Sequence, residues 1–531
     1  MVSASLFVVL VASVLLAGIA RRYDVSGPLA LVVAGLLAGL IPGVDGIALE
    51  PNLVLFVILP PLLWSAGQES SYVALRKNTR RIGLLAVGLP LVTTFAVGVV
   101  AFHTVPELTL AAALTLGAIV APPDAVSATA IGRRLGLPRQ IMTLLGGESL
   151  LNDATALTAY KVALAAAIGT AASWGTPLLT FALAAVGGTV VGALAGTLIV
   201  RVRTWLGDSL VESAIGLVAP FVIYLLAEEV HGSGVIAVVV AALILGQRST
   251  RASYATRLQD TAVWKTLQFV LESFAFLLIG LQLPTVVAEL KGISAATLAI
   301  ASASVLATVI VVRIAWVFAM SYLPRRLSRR IREREEKPTP AQVFIVAWAG
   351  MRGVVSLAAA FAVPVTTLSG EPFPGRPQLV FLTFVVVVGT LLLHGLTLPW
   401  IIRVLDVQGD DAHQDALAEA AAQTKAAQAA ADRLDEIMAT QRADSDVHER
   451  AATILRHWND RRSNAAWEQL GRGDDEIGEG PAAAFRRLRL EMLRAEREAF
   501  IEERDAGRID DEVLRSALRG LDLEEAALER D

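Results

Sequence analysis

From Val2 to Arg403 the chain alternates long apolar runs with short polar clusters, and most of the runs are apolar on every side of a helix. Such a run has no wet face, so it belongs inside a bilayer or a large core. A helix needs about 20 mainly apolar residues to cross the hydrocarbon. On that criterion the pattern predicts about thirteen membrane-spanning helices. They fall near 2–20, 28–42, 51–66, 82–103, 107–133, 138–170, 177–202, 210–230, 232–247, 262–284, 293–323, 340–368 and 378–405. The first run is expected to be retained, because no basic residue precedes it and Arg21 and Arg22 follow it, the reverse of a cleaved signal peptide.

Beyond Gln408 the apolar runs stop and Ala, Glu, Asp and Arg take over. Helical spacing predicts helices near 411–442, 446–470, 482–505 and 510–530, with a Gly- and acid-rich linker from Gly471 to Pro481. The expected fold class is an all-α polytopic membrane protein, with a transmembrane domain over 1–405 and a helical tail over 406–531. Nothing in the tail carries catalytic chemistry.

Charge between the runs gives an independent check, because cytoplasmic loops carry an excess of Lys and Arg. Alternate loops hold Arg21 and Arg22; Arg76, Lys77, Arg80 and Arg81; Arg133, Arg134 and Arg139; Arg201 and Arg203; Arg248, Arg251 and Arg257; and the run from Arg325 to Lys337. The intervening loops hold only Lys291 and Arg376. The alternation puts the N-terminus outside and the tail in the cytoplasm, as for a multi-pass plasma-membrane protein in contact with lipid.

Two spans are interrupted midway. Pro122 and Pro123 each remove a backbone donor, so the helix must open at Ala121-Pro122-Pro123-Asp124. Asp124 lies about ten residues, roughly 15 Å, from the basic end at Arg134. In the twelfth span Gly350 and Gly353 flank Met351 and Arg352 at a similar depth. Spans five and twelve run in opposite directions, which is how an inverted-topology repeat looks in a sequence. Irregular backbone at that depth survives only in protein or beside a wet cavity. Asp124 and Arg352 are placed to compensate the exposed half-helix ends.

The segment Gly147-Glu148-Ser149-Leu150-Leu151-Asn152-Asp153 lies inside the sixth span, where ionised side chains are costly and usually functional. Ser149 and Asp153 are four apart and share one helix face, while Glu148 and Asn152 form the neighbouring stripe. Desolvation disfavours a bare carboxylate there, so Asp153 is expected to hold either a proton or a cation. A carboxylate, a hydroxyl, a backbone carbonyl and water suit a hard monovalent cation.

Composition narrows the class further. With 54% hydrophobic residues and no cysteine, thiolate metal sites and disulfides are excluded. The net charge of −4 says little about partners, and no nucleic-acid partner is expected. No motif implies a cofactor or enzymatic chemistry. His103, His231 and His394 lack metal-ligand spacing.

The Gly147–Asp153 segment, the Pro122-Pro123-Asp124-Ala125-Val126 break and Gly350-Met351-Arg352-Gly353-Val354-Val355-Ser356 together resemble the monovalent cation/proton antiporter family, in its sodium/proton exchanger branch. The resemblance covers residues 1 to about 405, and for the tail over 406–531 it implies no more than a cytosolic, regulatory role. It implies that Asp153 coordinates the ion, helped by Ser149, Asp124 and a backbone carbonyl near Pro123, with Asn152 positioning the site. It implies a structural ion pair between Glu148 and Arg352, joining the sixth span to the twelfth. An Asn before the Asp resembles the electroneutral branch, which implies one Na+ exchanged per H+, with K+ or Li+ as alternative cations. It also implies a homodimer with one mobile and one dimerisation bundle. At the break the family commonly has Thr-Asp-Pro, where this chain has Pro123-Asp124-Ala125.

Other intramembrane charges have plainer expectations. Glu272 is a candidate funnel residue, Glu212 a partner for Arg201 or Arg203, and Lys161 a snorkelling side chain. The competing function classes are a cation channel, separable by saturable proton-coupled flux, and an intramembrane aspartyl hydrolase, for which no dyad motif is present.

Overall fold

The computed structural model describes residues 2–23, 25–41, 53–169, 175–290, 293–334, 337–407, 411–440, 446–471 and 481–529. It divides into two compact units, Met1–Gly409 and Asp410–Asp531. The described residues are almost entirely helical, joined by short turns and one isolated bridge between Thr366 and Pro372.

The first unit begins with α1 (Val2–Arg22), α2 (Gly27–Gly39) and α3 (Leu59–Glu69), the last preceded by a π-helical stretch, Leu53–Ile58. Short helices α4 (Tyr72–Lys77) and α5 (Thr79–Gly83) lead through a second π-helical stretch, Leu84–Gly88, into α6 (Leu89–Thr104). Trp316 Nε1 donates to the Leu84 carbonyl over 3.0 Å, giving a partner to a group in the widened turn. Next come α7 (Leu110–Val120), α8 (Ala125–Arg134), α9 (Arg139–Ile168), α10 (Gly175–Leu206), α11 (Ser209–Glu229) and α12 (Gly234–Arg248). The unit ends with α13 (Tyr254–Leu281), α14 (Leu283–Ala288), α15 (Ala295–Leu327), α16 (Arg329–Arg334), α17 (Pro340–Trp348), α18 (Val354–Phe361) and α19 (Arg376–Val404).

Six of the described helical stretches are long and apolar enough to cross a membrane: Thr79–Thr104, Ala182–Leu206, Ser209–Glu229, Tyr254–Ala288, Ala295–Leu327 and Arg376–Val404. Both expected interruptions are present. The fifth run splits into α7 and α8 around 121–124, and the twelfth into α17 and α18 around 349–353. The twelfth also stops at Phe361, short of the expected 368, and the chain then turns back through the Thr366–Pro372 bridge. The tenth starts earlier than expected, at Tyr254, because two polar turns carrying Arg257 and Asp260 continue the helix past its apolar stretch.

Packing sorts these helices into two bundles. In the first, α2 packs on α13, α12 packs on α3 and α10, and α1 and α11 complete the group. Gly188, Gly192 and Gly196 of α10 lie directly against Ser233, the N-cap of α12, and Ala237 and Ala241 within it, the small-residue contact that lets backbones approach in a membrane. In the second bundle α6 packs on α7 and α15, α7 on α9, and α15 on α17 and α19. The broken helices and α9 therefore share one bundle.

In the second unit α20 (Asp411–Thr440) packs on α21 (Asp446–Gly471), and α22 (Pro481–Asp505) on α23 (Asp511–Glu529). The four helices fall within two residues of the expected bounds. The linker expected at Gly471–Pro481 lies almost wholly outside the described residues.

Candidate functional site

The two breaks meet. The Asp124 backbone N–H donates to the Met351 carbonyl over 2.7 Å, so the opened stretch between α7 and α8 is hydrogen-bonded to that between α17 and α18. Four half-helix ends converge there, two with orphan carbonyls and two with orphan N–H groups.

A different arginine serves each C-terminal end. Arg352, fully buried, donates from Nε to the Val120 carbonyl at the end of α7 over 2.8 Å. Its Nη1 donates to the Gly350 carbonyl, and its backbone N–H to Thr390 Oγ1. Arg313, also buried, donates from Nε to the Ala347 carbonyl and from Nη2 to the Val346 carbonyl, each over 3.0 Å, in the last turn of α17. Cations at helix C-termini oppose the negative end of the peptide dipoles.

The N-terminal ends share one carboxylate. Asp124 immediately precedes α8, and its side chain lies against Gly353, the residue before α18. A methyl group on Gly353 would come within 2.7 Å of an Asp124 carboxylate oxygen, so only glycine permits this approach. The expected compensation of the broken helices by Asp124 and Arg352 is thus what the geometry shows, with Arg313 as a third participant.

The expected Glu148–Arg352 ion pair is not formed. Glu148 is bound instead by Arg313, Nη1 to Oε1 at 2.5 Å and Nη2 to Oε2 at 3.0 Å, with both side chains only 2% exposed. Arg352 feels the field of both groups but spends its donors on the breaks, and its Nη2 has no hydrogen-bond partner among the described residues. The physical reason is geometric. Arg352 sits inside the crossing, next to the carbonyls that need it, while α15 brings the planar fork of Arg313 edge-on to a carboxylate, a bidentate match. Arg313 was legible in principle, because it interrupts the apolar run Val309–Phe318 as a lone intramembrane cation.

The two stripes of α9 have separate surroundings. Glu148 and Asn152 face the protein interior and are buried. Asn152 Nδ2 donates to the Pro123 carbonyl over 2.9 Å, tying α9 to the first break, while its Oδ1 is buried with no hydrogen-bond partner among the described residues. Ser149 and Asp153, on the next stripe, are half-buried. Asp124, itself half-buried, lies close enough for its carboxylate to repel that of Asp153. The Pro123 carbonyl, the Asn152 amide and the Asp124 carboxylate therefore lie at one crossing, with the Asp153 carboxylate within electrostatic range of Asp124.

Glu272, on α13 in the opposite bundle, lies within electrostatic range of Asp124 and also of Arg21 and Glu69. Gln268 Nε2 donates to Glu272 over 2.6 Å, and Ser65 Oγ donates to Gln268 Oε1 over 3.2 Å. Ser65 also lines a cavity of about 580 Å³ that opens among the basic-loop ends of α3, α10, α12 and α13. There Arg203 contacts Asp260 at 2.6 Å and Glu212 at 3.9 Å, the partner expected for Glu212 together with one that was not. Lys161 does not simply snorkel; it pairs with Glu228 of α11 at 2.8 Å.

Comparison with known proteins agrees with this architecture. Residues 9–404 match the family described as sodium/hydrogen exchanger, transmembrane. An uncharacterised Na+/H+ exchanger of Mycobacterium bovis is 35% identical over 98% of this chain and 95% of its own length. A sodium, potassium, lithium and rubidium/H+ antiporter of Bacillus pumilus is 32% identical over 72% of this chain and 58% of its own. The sodium proton antiporter MjNhaP1 of Methanocaldococcus jannaschii, solved at pH 8, has the same fold with a TM-score of 0.59, at 19% identity, over 76% of this chain and 98% of that one. On the strength of the crossed breaks and these matches, the chain belongs to the transmembrane sodium/hydrogen exchanger family.

Proposed function

We propose that this protein is a secondary antiporter that exchanges a monovalent cation, Na+ with K+ or Li+ as alternatives, for H+ at Asp153. The observation that carries this reading is the division of labour on α9. Glu148 and Asn152 are consumed by Arg313 and the Pro123 carbonyl, while Ser149 and Asp153 stay half-buried and make no hydrogen bond among the described residues. The unpartnered Asn152 Oδ1 adds a neutral oxygen at the same place.

In this reading Asp153 is the carboxylate shared in turn by cation and proton. Ser149, Asp124 and the Pro123 carbonyl complete the shell with water, and Asn152 holds the carbonyl in place. Desolvation penalises the bare carboxylate, so the bundle crosses loaded with one ion or the other, giving electroneutral 1:1 exchange. The repulsion between Asp124 and Asp153 is relieved by either ion. Alternating access comes from movement of the bundle with the breaks against the bundle of α1–α3 and α10–α13. Glu272 lines the approach from the basic face.

The same reading takes thirteen spans, an outside N-terminus, a cytoplasmic regulatory tail, residence in the plasma membrane and a homodimer. In everted vesicles, adding Na+, K+ or Li+ should collapse an imposed proton gradient with the parent and fail to do so with Asp153→Asn. Parental exchange by that variant would overturn the assignment. A rate that follows an imposed membrane voltage would overturn the 1:1 stoichiometry.

A further inference from the structure

Among the described residues, two ion pairs join the helices that bear the candidate carboxylates to the opposite bundle, one on each membrane face. On the basic-loop face, Arg133 Nη2 of α8 meets Glu69 Oε2, the last residue of α3, at 3.2 Å. On the opposite face, Lys161 Nζ of α9 meets Glu228 Oε2 of α11 at 2.8 Å. Glu228 Oε1 also accepts the Gly234 N–H, which anchors that carboxylate to the first turn of α12.

Both cations ride on the helices that bear the candidate ion-binding carboxylates. Arg133 is on the half-helix that Asp124 starts, and Lys161 lies on α9 two turns beyond Asp153. Both acids sit at the ends of helices in the other bundle. We infer that Glu69–Arg133 and Glu228–Lys161 are paired latches that hold the carboxylate-bearing helices in register with the opposite bundle and must open as the site changes sides. Glu69, Arg133, Lys161 and Glu228 are then positioning residues for the exchange, acting through α8 and α9 and not on the ion.

The sign follows from the geometry. Both pairs are closed in this conformation, so each stabilises it relative to any arrangement in which the bundles have slid or rocked past each other. The side chains are part-exposed, with 69% and 46% for Arg133 and Glu69 and 60% and 31% for Lys161 and Glu228. Exposed pairs are weak, so each latch shifts the conformational balance by only about two- to five-fold. A latch of that strength holds a state without trapping it.

The inference rests on the antiport reading, and the chain's lack of cysteine allows a direct test. Glu69→Cys with Arg133→Cys, and separately Glu228→Cys with Lys161→Cys, are placed in the full-length protein in proteoliposomes. Each is cross-linked with a short bifunctional maleimide, and Na+-driven proton flux is measured before and after. Flux should fall at least tenfold on cross-linking of either pair, while each single-cysteine control should show the same flux after the maleimide as before it. Cross-linked protein that transports at the uncross-linked rate would overturn the inference, because the two bundles would then be static at that point. A charge swap, Glu69→Arg with Arg133→Glu, should restore the parental KM for Na+ where either single change alters it. Failure of the swap to restore KM would also count against the latch. Absence of exchange in the parent itself would instead remove the antiport reading, so the two failures are distinct.

Discussion

Removing one partner of the Glu148–Arg313 pair should be among the most damaging single changes in the protein. Arg313 makes four hydrogen bonds from a site closed to solvent, two to Glu148 and two to the final carbonyls of α17. Arg313→Met keeps the volume but leaves a buried carboxylate uncompensated, which costs about 3–5 kcal/mol. Arg313→Met with Glu148→Gln removes that unpaired charge. It should recover much of the loss while leaving the two α17 carbonyls short of donors, at about 1–3 kcal/mol for each unsatisfied group. The double-mutant coupling should therefore be about 2 kcal/mol or more. Unfolding of the protein in mixed micelles, followed by tryptophan fluorescence, supplies the four stabilities. The same cycle with Arg352 in place of Arg313 is the control. Arg352 faces the breaks, so its coupling to Glu148 should stay below about 1 kcal/mol. A Glu148–Arg352 coupling equal to or larger than that of Glu148–Arg313 would refute the assignment of partners.

Further outcomes follow from the site. Gly353→Ala should push the Asp124 carboxylate out of its place before α18, lowering exchange at least tenfold with little change in expression, as measured by vesicle flux. Asn152→Ala frees the Pro123 carbonyl in a buried position; at about 1–3 kcal/mol this predicts a loss of about 5- to 150-fold in kcat/KM for Na+. If proton and cation compete for one carboxylate, the apparent KM for Na+ should rise about tenfold per unit fall in pH once that carboxylate is mostly protonated; a KM flat with pH would contradict shared binding. In the tail, two bonds from Arg489 hold the Glu524 carboxyl below its usual range. A depressed value in the folded state contributes stability that is present above the ordinary glutamate range and fades as pH falls through it. Glu524→Gln should therefore loosen the α22–α23 contact at neutral pH, with parent and variant converging in acid, as read by amide protection.

Much of the fold was written in one dimension. Apolar run length marked the six described stretches long and apolar enough to cross a membrane, and tandem prolines and paired glycines marked the breaks. The four-residue spacing of Ser149 and Asp153, offset from Glu148 and Asn152, followed from helix geometry alone, and the burial of the second pair matches it. Periodicity specifies which face a side chain presents and how deep it lies. It does not say which distant segment packs against that face.

The partner of Glu148 shows the difference. Arg313 and Arg352 lie in apolar surroundings at similar depth, and either could satisfy a buried carboxylate. Only the packing of α15 against α17 directs the Arg313 fork at Glu148, while the crossing of the breaks commits Arg352 to the carbonyls of Val120 and Gly350. The same holds for Lys161 with Glu228 and Arg133 with Glu69, whose partners are 67 and 64 residues away. Sequence determined where charge had to be buried, because hydrophobic runs and broken backbone fix depth. Tertiary structure decided which charges meet, because hydrogen bonding between them acts over about 3 Å and that proximity is set by helix packing.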